Sequence, residues 1–111
     1  MIVVTTGSIA NMRIVRTLGL VRGASVRGRH IGKDLIASMR NAVGGEITEY
    51  TKILSETREQ ALDRMVEEAQ ELGANAILAV RFSSSEIATN AAEVLAYGTA
   101  VVVEEVNPSS A

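Results

Sequence analysis

The sequence predicts an α+β domain with the element order β-β-α-α-β-β, in which two helices pack on an antiparallel sheet. Three observations favour this class. Short apolar and β-branched runs occupy the first 27 positions. Apolar residues then recur at helical spacing between residues 31 and 72, and two further apolar runs follow the glycine at position 73.

Two strands are predicted at the start of the chain. The β-branched run over residues 2–6 predicts a short first strand. Residues Met12–Arg27 predict one long, bent strand or two short ones, because arginines break the alternation of apolar and polar positions. Gly19 and Gly23 lie inside this stretch, where a glycine usually marks a bulge or a close approach of another backbone.

Two helices follow in the prediction. Residues 31–43 have apolar positions at helical spacing, and Gly44 and Gly45 would end this first helix. A longer helix is predicted from about residue 49 to residue 72, where Gly73 stops it. It carries apolar residues on one face and five acidic residues on the other.

The last part of the chain predicts two more strands. Residues 74–82 are small or branched and predict a buried strand, and residues 94–106 predict the last strand, with Gly98 in its interior. The polar residues 83–93 between them predict a hairpin connection or a frayed strand extension. We expect a disordered tail over residues 107–111, and a single domain over residues 1–106.

The composition restricts the classes of function. One Phe, two Tyr and no Trp leave the core to aliphatic residues, which favours a chain that shares apolar surface with copies of itself. Without cysteine there is no disulfide, thiolate nucleophile or sulfur-ligated metal site. The sequence shows no signal peptide, and its apolar runs are too short to span a bilayer, so we expect a cytoplasmic protein with no membrane association.

Charge is distributed unevenly along the chain. Residues 1–45 carry seven Lys/Arg and one Asp, whereas residues 46–72 carry three Lys/Arg and eight Asp/Glu. This pattern predicts complementarity within the chain or between subunits, or alternatively an anion-binding face. The net charge of −2 makes nucleic acid an unlikely partner.

The most unusual segment is VRGRHIGKD, residues 26–34. Neither pair of glycines there meets the spacing and residue types of a Walker phosphate loop. A weaker anion site is predicted at the start of the following helix, with Arg27, Arg29 and Lys33 as the candidate contacts. The alternative is a basic turn that pairs with the acidic helix.

A metal site is a second hypothesis for the same segment. His30, the only histidine, and Asp34 are four residues apart and would share one helix face. Because zinc prefers three or four protein ligands, the remaining ligands would have to come from distant carboxylates or neighbouring subunits. The alternative is a histidine that is simply packed or solvated, and no pattern of a hydrolytic enzyme is present.

Five segments, taken in order, resemble one family. They are VVTT near the start, LGLVRG at 18–23, VGGEITEYTKIL at 43–54, ELGANAILAVRF at 71–82 and AYGTAVVV at 96–103. This pattern resembles the YbjQ family, which is labelled heavy-metal-binding. The resemblance implies an α+β domain like the dodecin subunit, assembled as a ring-like homopentamer, with no catalytic residues to transfer.

The resemblance also gives local meanings to single residues. It implies that Gly44 and Gly45 separate the helices, that Gly73 ends the second helix and that Gly98 allows close packing in the last strand. Tyr50 matches the family's tyrosine, and would anchor the long helix or line a groove between subunits. The heavy-metal label fits poorly, because soft metals prefer thiolates, although a carboxylate site for a hard cation remains open.

Together these observations predict a non-enzymatic homo-oligomer, pentameric by the resemblance, that binds a small anionic ligand or a partner in clefts between subunits. The alternative is a metal-binding protein that uses His30 and Asp34 with groups from a neighbouring subunit. No cofactor is predicted beyond that possible metal ion.

Overall fold

The computed structural model describes residues 1–27, 45–88 and 91–106, and side chains within 1–26, 54–86 and 92–106. The described elements are, in chain order, β1 (Ile2–Val3), β2 (Met12–Arg27), α1 (Gly45–Glu71), β3 (Ala76–Ala88) and β4 (Ala91–Glu105). The predicted helix over residues 31–43 and the predicted tail over 107–111 lie outside the described residues.

The four strands form one mixed sheet in the order β1-β3-β4-β2. β4 pairs antiparallel with both β2 and β3, but β1 pairs parallel with β3. The predicted wholly antiparallel sheet is therefore wrong at β1. A short β-branched run predicts a strand, but it does not predict whether that strand pairs parallel or antiparallel with its neighbour. Here the path of residues 4–12 determines the direction of the pairing.

The helix packs on one face of the sheet, which we call the helix-side face. Alternate residues of β4 lie on this face, and they are small or β-branched: Val94, Ala96, Gly98 and Ala100. From the helix, Ala61, Met65 and Ala69 pack against them and are fully buried. The four-residue spacing of these helix positions places them on a single stripe.

Gly23 determines how closely the helix approaches β2. A Cβ atom at this position would overlap the Ala61 carbonyl oxygen and the Met65 amide nitrogen, and would lie 2.9 Å from the carbonyl carbon of Arg64. All three atoms belong to the helix backbone. The prediction that a glycine in this strand marks a close approach of another backbone is confirmed.

The other face of the sheet, the open face, is covered only at one end by the described chain. There Ala76, Leu78, Val101 and Val103 are buried under residues of the N-terminal segment: Ile2, Val4, Ile9 and Met12. Asn75 fixes this end, because its amide group donates to the Val103 carbonyl at 2.9 Å and accepts from the Val103 amide at 2.8 Å.

Most predicted boundaries on the helix and strands are close to those observed, but four differ. β1 ends at Val3 rather than at residue 6. β2 spans the predicted residues as one strand, and a register shift between Thr17 and Gly19 marks the predicted bulge. The helix starts at Gly45 rather than near residue 49. β3 runs on to Ala88, and β4 begins at Ala91.

The early start of the helix agrees with the acidic residues Glu46 and Glu49, which favour a helix N-terminus. The predicted strand extension over the serines is confirmed, because cross-strand pairs continue from Ser83 to Ala88. Gly73 has φ of +85° directly beyond the helix, as expected for a residue that ends one. Gly98 is buried inside β4, as predicted.

Candidate functional site

The candidate site lies at the end of the sheet where β2 finishes. The helix runs antiparallel to β2, since Gly23 contacts Ala61 and Met65 whereas Ser25 reaches back to Gln60. The first turns of the helix therefore lie at the same end of the sheet as Arg27, the last residue of β2. The hairpin between β3 and β4 also lies at this end, because Arg27 is opposite Ala92.

Two polar contacts hold the end of β2 against the helix. The Ser25 hydroxyl, fully buried, donates to the Gln60 side-chain oxygen at 2.5 Å. The Arg64 guanidinium donates to the carbonyl oxygen of Ala24. A buried hydroxyl group needs a hydrogen-bond partner, and Gln60 provides one for Ser25. This contact holds the end of β2 against the helix.

Arg27 is the one candidate anion contact whose strand position is described. It lies opposite Ala92 in β4, and Glu86 of β3 lies opposite the same residue. Cross-strand partners share a face of the sheet, so Arg27 and Glu86 are placed on one face, two strands apart. Tyr50 lies in the helix near its start, at the same end of the sheet.

The other candidate residues cannot be placed in the same way. Arg29, His30, Lys33, Asp34 and Gly44 lie outside the described residues, as do the side chains of Arg27 and Tyr50. The proposed anion contacts and metal ligands therefore remain predictions. Among the residues that the structure does describe, no group of three or more His, Cys, Asp or Glu is placed to hold a metal ion.

The uneven charge of the sequence appears on different surfaces of the fold. Exposed arginines lie along β2, and the outward face of the helix carries exposed acidic side chains: Glu56, Glu59, Asp63, Glu67 and Glu71. Within the described part of the chain the one ion pair joins Arg13 to Glu104 at 3.2 Å, between β2 and β4. There, the acidic helix face makes no ion pair with the basic strand.

Sequence reasoning missed a row of residues on the open face. Arg22 and Arg81 both lie opposite Tyr97, so the tyrosine stands between two arginines on neighbouring strands. Arg81 donates to the carbonyl oxygens of Thr5 and Val80, each at 2.8 Å. The mostly apolar run over residues 94–103 of β4 indicates a strand with apolar residues on both faces, but it does not indicate which residues lie opposite Tyr97.

No helix within the described residues has the length and apolar character needed to cross a membrane. This finding agrees with the absence of long apolar runs from the sequence.

Comparison with known proteins identifies the family. The family model described as "Putative heavy-metal-binding", YbjQ, matches residues 1–104. A UPF0145 protein of Dehalococcoides mccartyi strain BAV1 is 56% identical over 104 residues, which are 94% of this chain and the whole of that one. A UPF0145 protein of Methanosarcina acetivorans is 50% identical over 103 residues, 93% of this chain and 97% of its own.

One solved structure shares the fold. It is a protein of unknown function of the DUF74 family from Pediococcus pentosaceus, with a TM-score of 0.62 and 17% sequence identity, covering 94% of this chain and 98% of its own. At that identity the likeness supports the α+β architecture alone. From the family match and the extent of identity with its relatives, this chain belongs to the YbjQ family.

Proposed function

We propose that the protein is a non-enzymatic subunit of a cytoplasmic, ring-like homo-oligomer, with five copies expected, whose clefts between subunits bind a small anionic ligand or partner. The observation that carries this proposal is the extended shape of one copy. β2 has 16 residues, and at about 3.3 Å per residue it is about 53 Å long.

This length exceeds what a compact domain of this size provides. The extents of the chain are 62 × 27 × 17 Å and its radius of gyration is 18.1 Å, whereas a compact domain of 111 residues has a radius of gyration of about 13 Å. A thin, long subunit buries little of its own surface. Association with further copies is the usual way to cover the remainder.

Native mass spectrometry tests the assembly. We expect a single higher oligomer, with five copies as the predicted number, across protomer concentrations from the nanomolar to the micromolar range. A stable monomer over that range would overturn the proposal.

The anionic ligand is supported by the position of Arg27 and by the basic residues that follow it in the sequence. Titration with inorganic phosphate and with citrate, followed by NMR chemical shifts of assigned amides, tests this part. We expect Arg27→Ala to weaken binding at least tenfold and Arg58→Ala to leave it unchanged. Arg58 is an exposed arginine of the helix that bonds to Ser55, so it controls for general loss of charge. Equal weakening in both variants, or no binding at all, contradicts an anion site at Arg27.

The second candidate function is metal binding, which the description of the family model favours. His30 and Asp34 would supply two ligands, and groups of a neighbouring subunit would supply the others. The lack of cysteine directs this hypothesis towards zinc or a harder cation rather than a soft metal.

Elemental analysis of the purified protein, followed by calorimetric titration with Zn²⁺ and Mn²⁺, tests this candidate. We expect His30→Ala and Asp34→Ala to lower the affinity at least tenfold, and Glu104→Ala, an exposed carboxylate elsewhere on the sheet, to leave it unchanged. A native protein that neither retains nor binds these ions excludes the metal function.

A further inference from the structure

The uncovered part of the open face differs from a solvated sheet face in the size of its apolar residues. On β4 the residues that face the helix are Val94, Ala96, Gly98 and Ala100, whereas Leu95 and Tyr97 point to the open face. On β2, Val21, Gly23 and Ser25 face the helix, whereas Leu20, Ala24 and Val26 are on the open side. On β4 the larger apolar side chains are thus on the face that the helix Gly45–Glu71 does not cover.

These side chains are exposed in the single chain. The exposed fraction is 63% for Leu20, 49% for Val26 and 37% for Tyr97. An antiparallel sheet with one solvated face normally presents polar residues there. A contiguous set of exposed leucine, valine and tyrosine on neighbouring strands is typical of an interaction surface.

The same face is already covered at its other end by the chain itself. The N-terminal segment buries Leu78 and Val101, and its cover stops before Leu20 and Tyr97. The covered and uncovered parts are continuous across β3 and β4. The uncovered part therefore extends an existing apolar layer instead of standing alone on the surface.

The outer edge of β2 adjoins this surface. β2 is the last strand of the sheet, and it pairs with β4 on one side. Between Leu20 and Arg27 its register with β4 has no bulge, so this half lacks the irregularity that commonly protects an edge strand. On the described chain, the Arg64 guanidinium covers the Ala24 carbonyl there.

The charges of the open face indicate which kind of partner fits. Arg22 and Arg81 lie there together with Glu93, which is opposite Val26. A face that carries both signs around an apolar centre is complementary to another copy of itself. The outward face of the helix, with its five acidic residues, is suited to the rim of such a contact and not to its apolar centre.

We propose that a second copy of this chain covers the open face around Leu20, Val26 and Tyr97, together with the adjoining edge of β2. This inference rests on the proposed homo-oligomer and names the surface through which its copies associate. Burial of Leu20 and Val26 across the contact supplies the apolar area that the aliphatic, small-residue core of one copy lacks.

Thiol accessibility tests the surface directly, because the natural chain has no cysteine. Leu20→Cys and Leu72→Cys place one thiol each at an exposed leucine, and Leu72 is 47% exposed just beyond the helix. In the assembled protein we expect the thiol at position 20 to react with a soluble disulfide reagent at least tenfold more slowly than the thiol at position 72. In denaturant the two rates should become equal.

A charge variant gives the second measurement. Leu20→Lys should reduce the oligomer, seen by native mass spectrometry, with at least tenfold weaker association, while Leu72→Lys should assemble as the natural protein does. Since both leucines are exposed in one copy, far-UV circular dichroism should show an unchanged fold. Equal reaction rates of the two thiols in the oligomer, or unchanged assembly of Leu20→Lys, would refute the open face as the contact between copies. Either result would leave the proposed oligomer itself standing.

A natural protein that is monomeric at every concentration overturns both proposals together. If the thiol at position 20 reacted slowly in such a monomer, residues of the same chain, and not a second copy, would cover the open face.

Discussion

Replacing Gly23 by alanine tests the packing of helix on sheet that supports the whole domain. A Cβ at this position meets three backbone atoms of the helix, and the most distant of them, the Arg64 carbonyl carbon, is at 2.9 Å. Ordinary contact requires 3.4–4 Å. The φ angle of Gly23 is not positive, so the strand backbone itself accepts alanine. The effect is therefore steric.

The helix must retreat by about 1 Å, because the Ala61 carbonyl oxygen and the Met65 amide nitrogen are nearer than the Arg64 carbonyl carbon and backbone atoms cannot rotate away as a side chain does. A gap of about 0.5–1 Å forfeits a quarter to a half of each dispersion contact. Ala61, Met65 and Ala69 are fully buried in this contact, and their burial is worth about 3–5 kcal/mol together. The loss is then about 1–2 kcal/mol, to which residual overpacking adds about 1–3 kcal/mol.

We therefore expect Gly23→Ala to lower the free energy of unfolding by about 2–5 kcal/mol. Urea denaturation followed by far-UV circular dichroism measures it, at one fixed protomer concentration because association contributes to stability. Gly7→Ala is the matched control, because a Cβ there has nothing within 4 Å. It should change stability by less than about 0.5 kcal/mol.

Gly98→Ala provides an intermediate case. Its Cβ would lie 2.8 Å from a methyl group of Ile77, 3.1 Å from one of Val80 and 3.0 Å from the Leu78 carbonyl oxygen, so two of its three close contacts are with side chains. Side-chain methyl groups can shift where the helix backbone cannot, so the cost should be smaller, about 1–2 kcal/mol. If Gly23→Ala is no more destabilising than Gly7→Ala, the close approach of helix and strand is refuted.

Three further substitutions test local features. Gly73→Ala should destabilise by about 1 kcal/mol, because φ of +85° suits glycine, and Gly73→Asn should recover part of the loss in thermal denaturation. Asn75→Ala removes both hydrogen bonds to Val103 and should lower the free energy of unfolding by about 1–3 kcal/mol. Unchanged stability would show that these two hydrogen bonds contribute nothing. Arg13→Ala breaks an exposed ion pair with Glu104, so the free energy of unfolding measured in urea should fall by less than about 0.5 kcal/mol. A larger loss would contradict the solvated character of this ion pair.

Local constraints account for the parts of the fold that the sequence predicted well. Each of four glycines lies where the backbone has little room or an unusual conformation, which glycine tolerates best. The sequence could therefore predict the bulge at Gly19, the close approach at Gly23, the helix end at Gly73 and the buried strand position of Gly98. The acidic outward face and the apolar stripe of the helix are likewise properties of one segment.

Features that depend on distant partners were harder to predict. The parallel pairing of β1 depends on the path of residues 4–12, which no local pattern describes. The serines at 83–85 have little preference for strands, and they join β3 because β4 supplies partners opposite them. Both faces of β4 carry apolar residues, so its sequence does not indicate which face the helix covers.

At the candidate site, the strand position of Arg27 is the one feature that can be compared with the prediction. The sequence placed Arg27 at the end of a long strand, and the structure confirms that position. Whether Arg29, His30, Lys33 and Asp34 gather beside it depends on residues outside the described ranges. The row around Tyr97 could not be foreseen, because it requires the register of three strands.

The difference in side-chain size between the two faces of β4 connects the fold to the proposed assembly. Glycine and alanine on the helix-side face bring the helix backbone close to the strands, but they contribute little apolar area of their own. The largest fully buried side chains are accordingly modest, with Met65, Ile77 and Val21 among them. The leucine, valine and tyrosine on the open face contribute only when something covers them. If a second copy covers this face as proposed, burial of Leu20, Val26 and Tyr97 adds to the stability of each copy, so the free energy of unfolding should rise with protomer concentration.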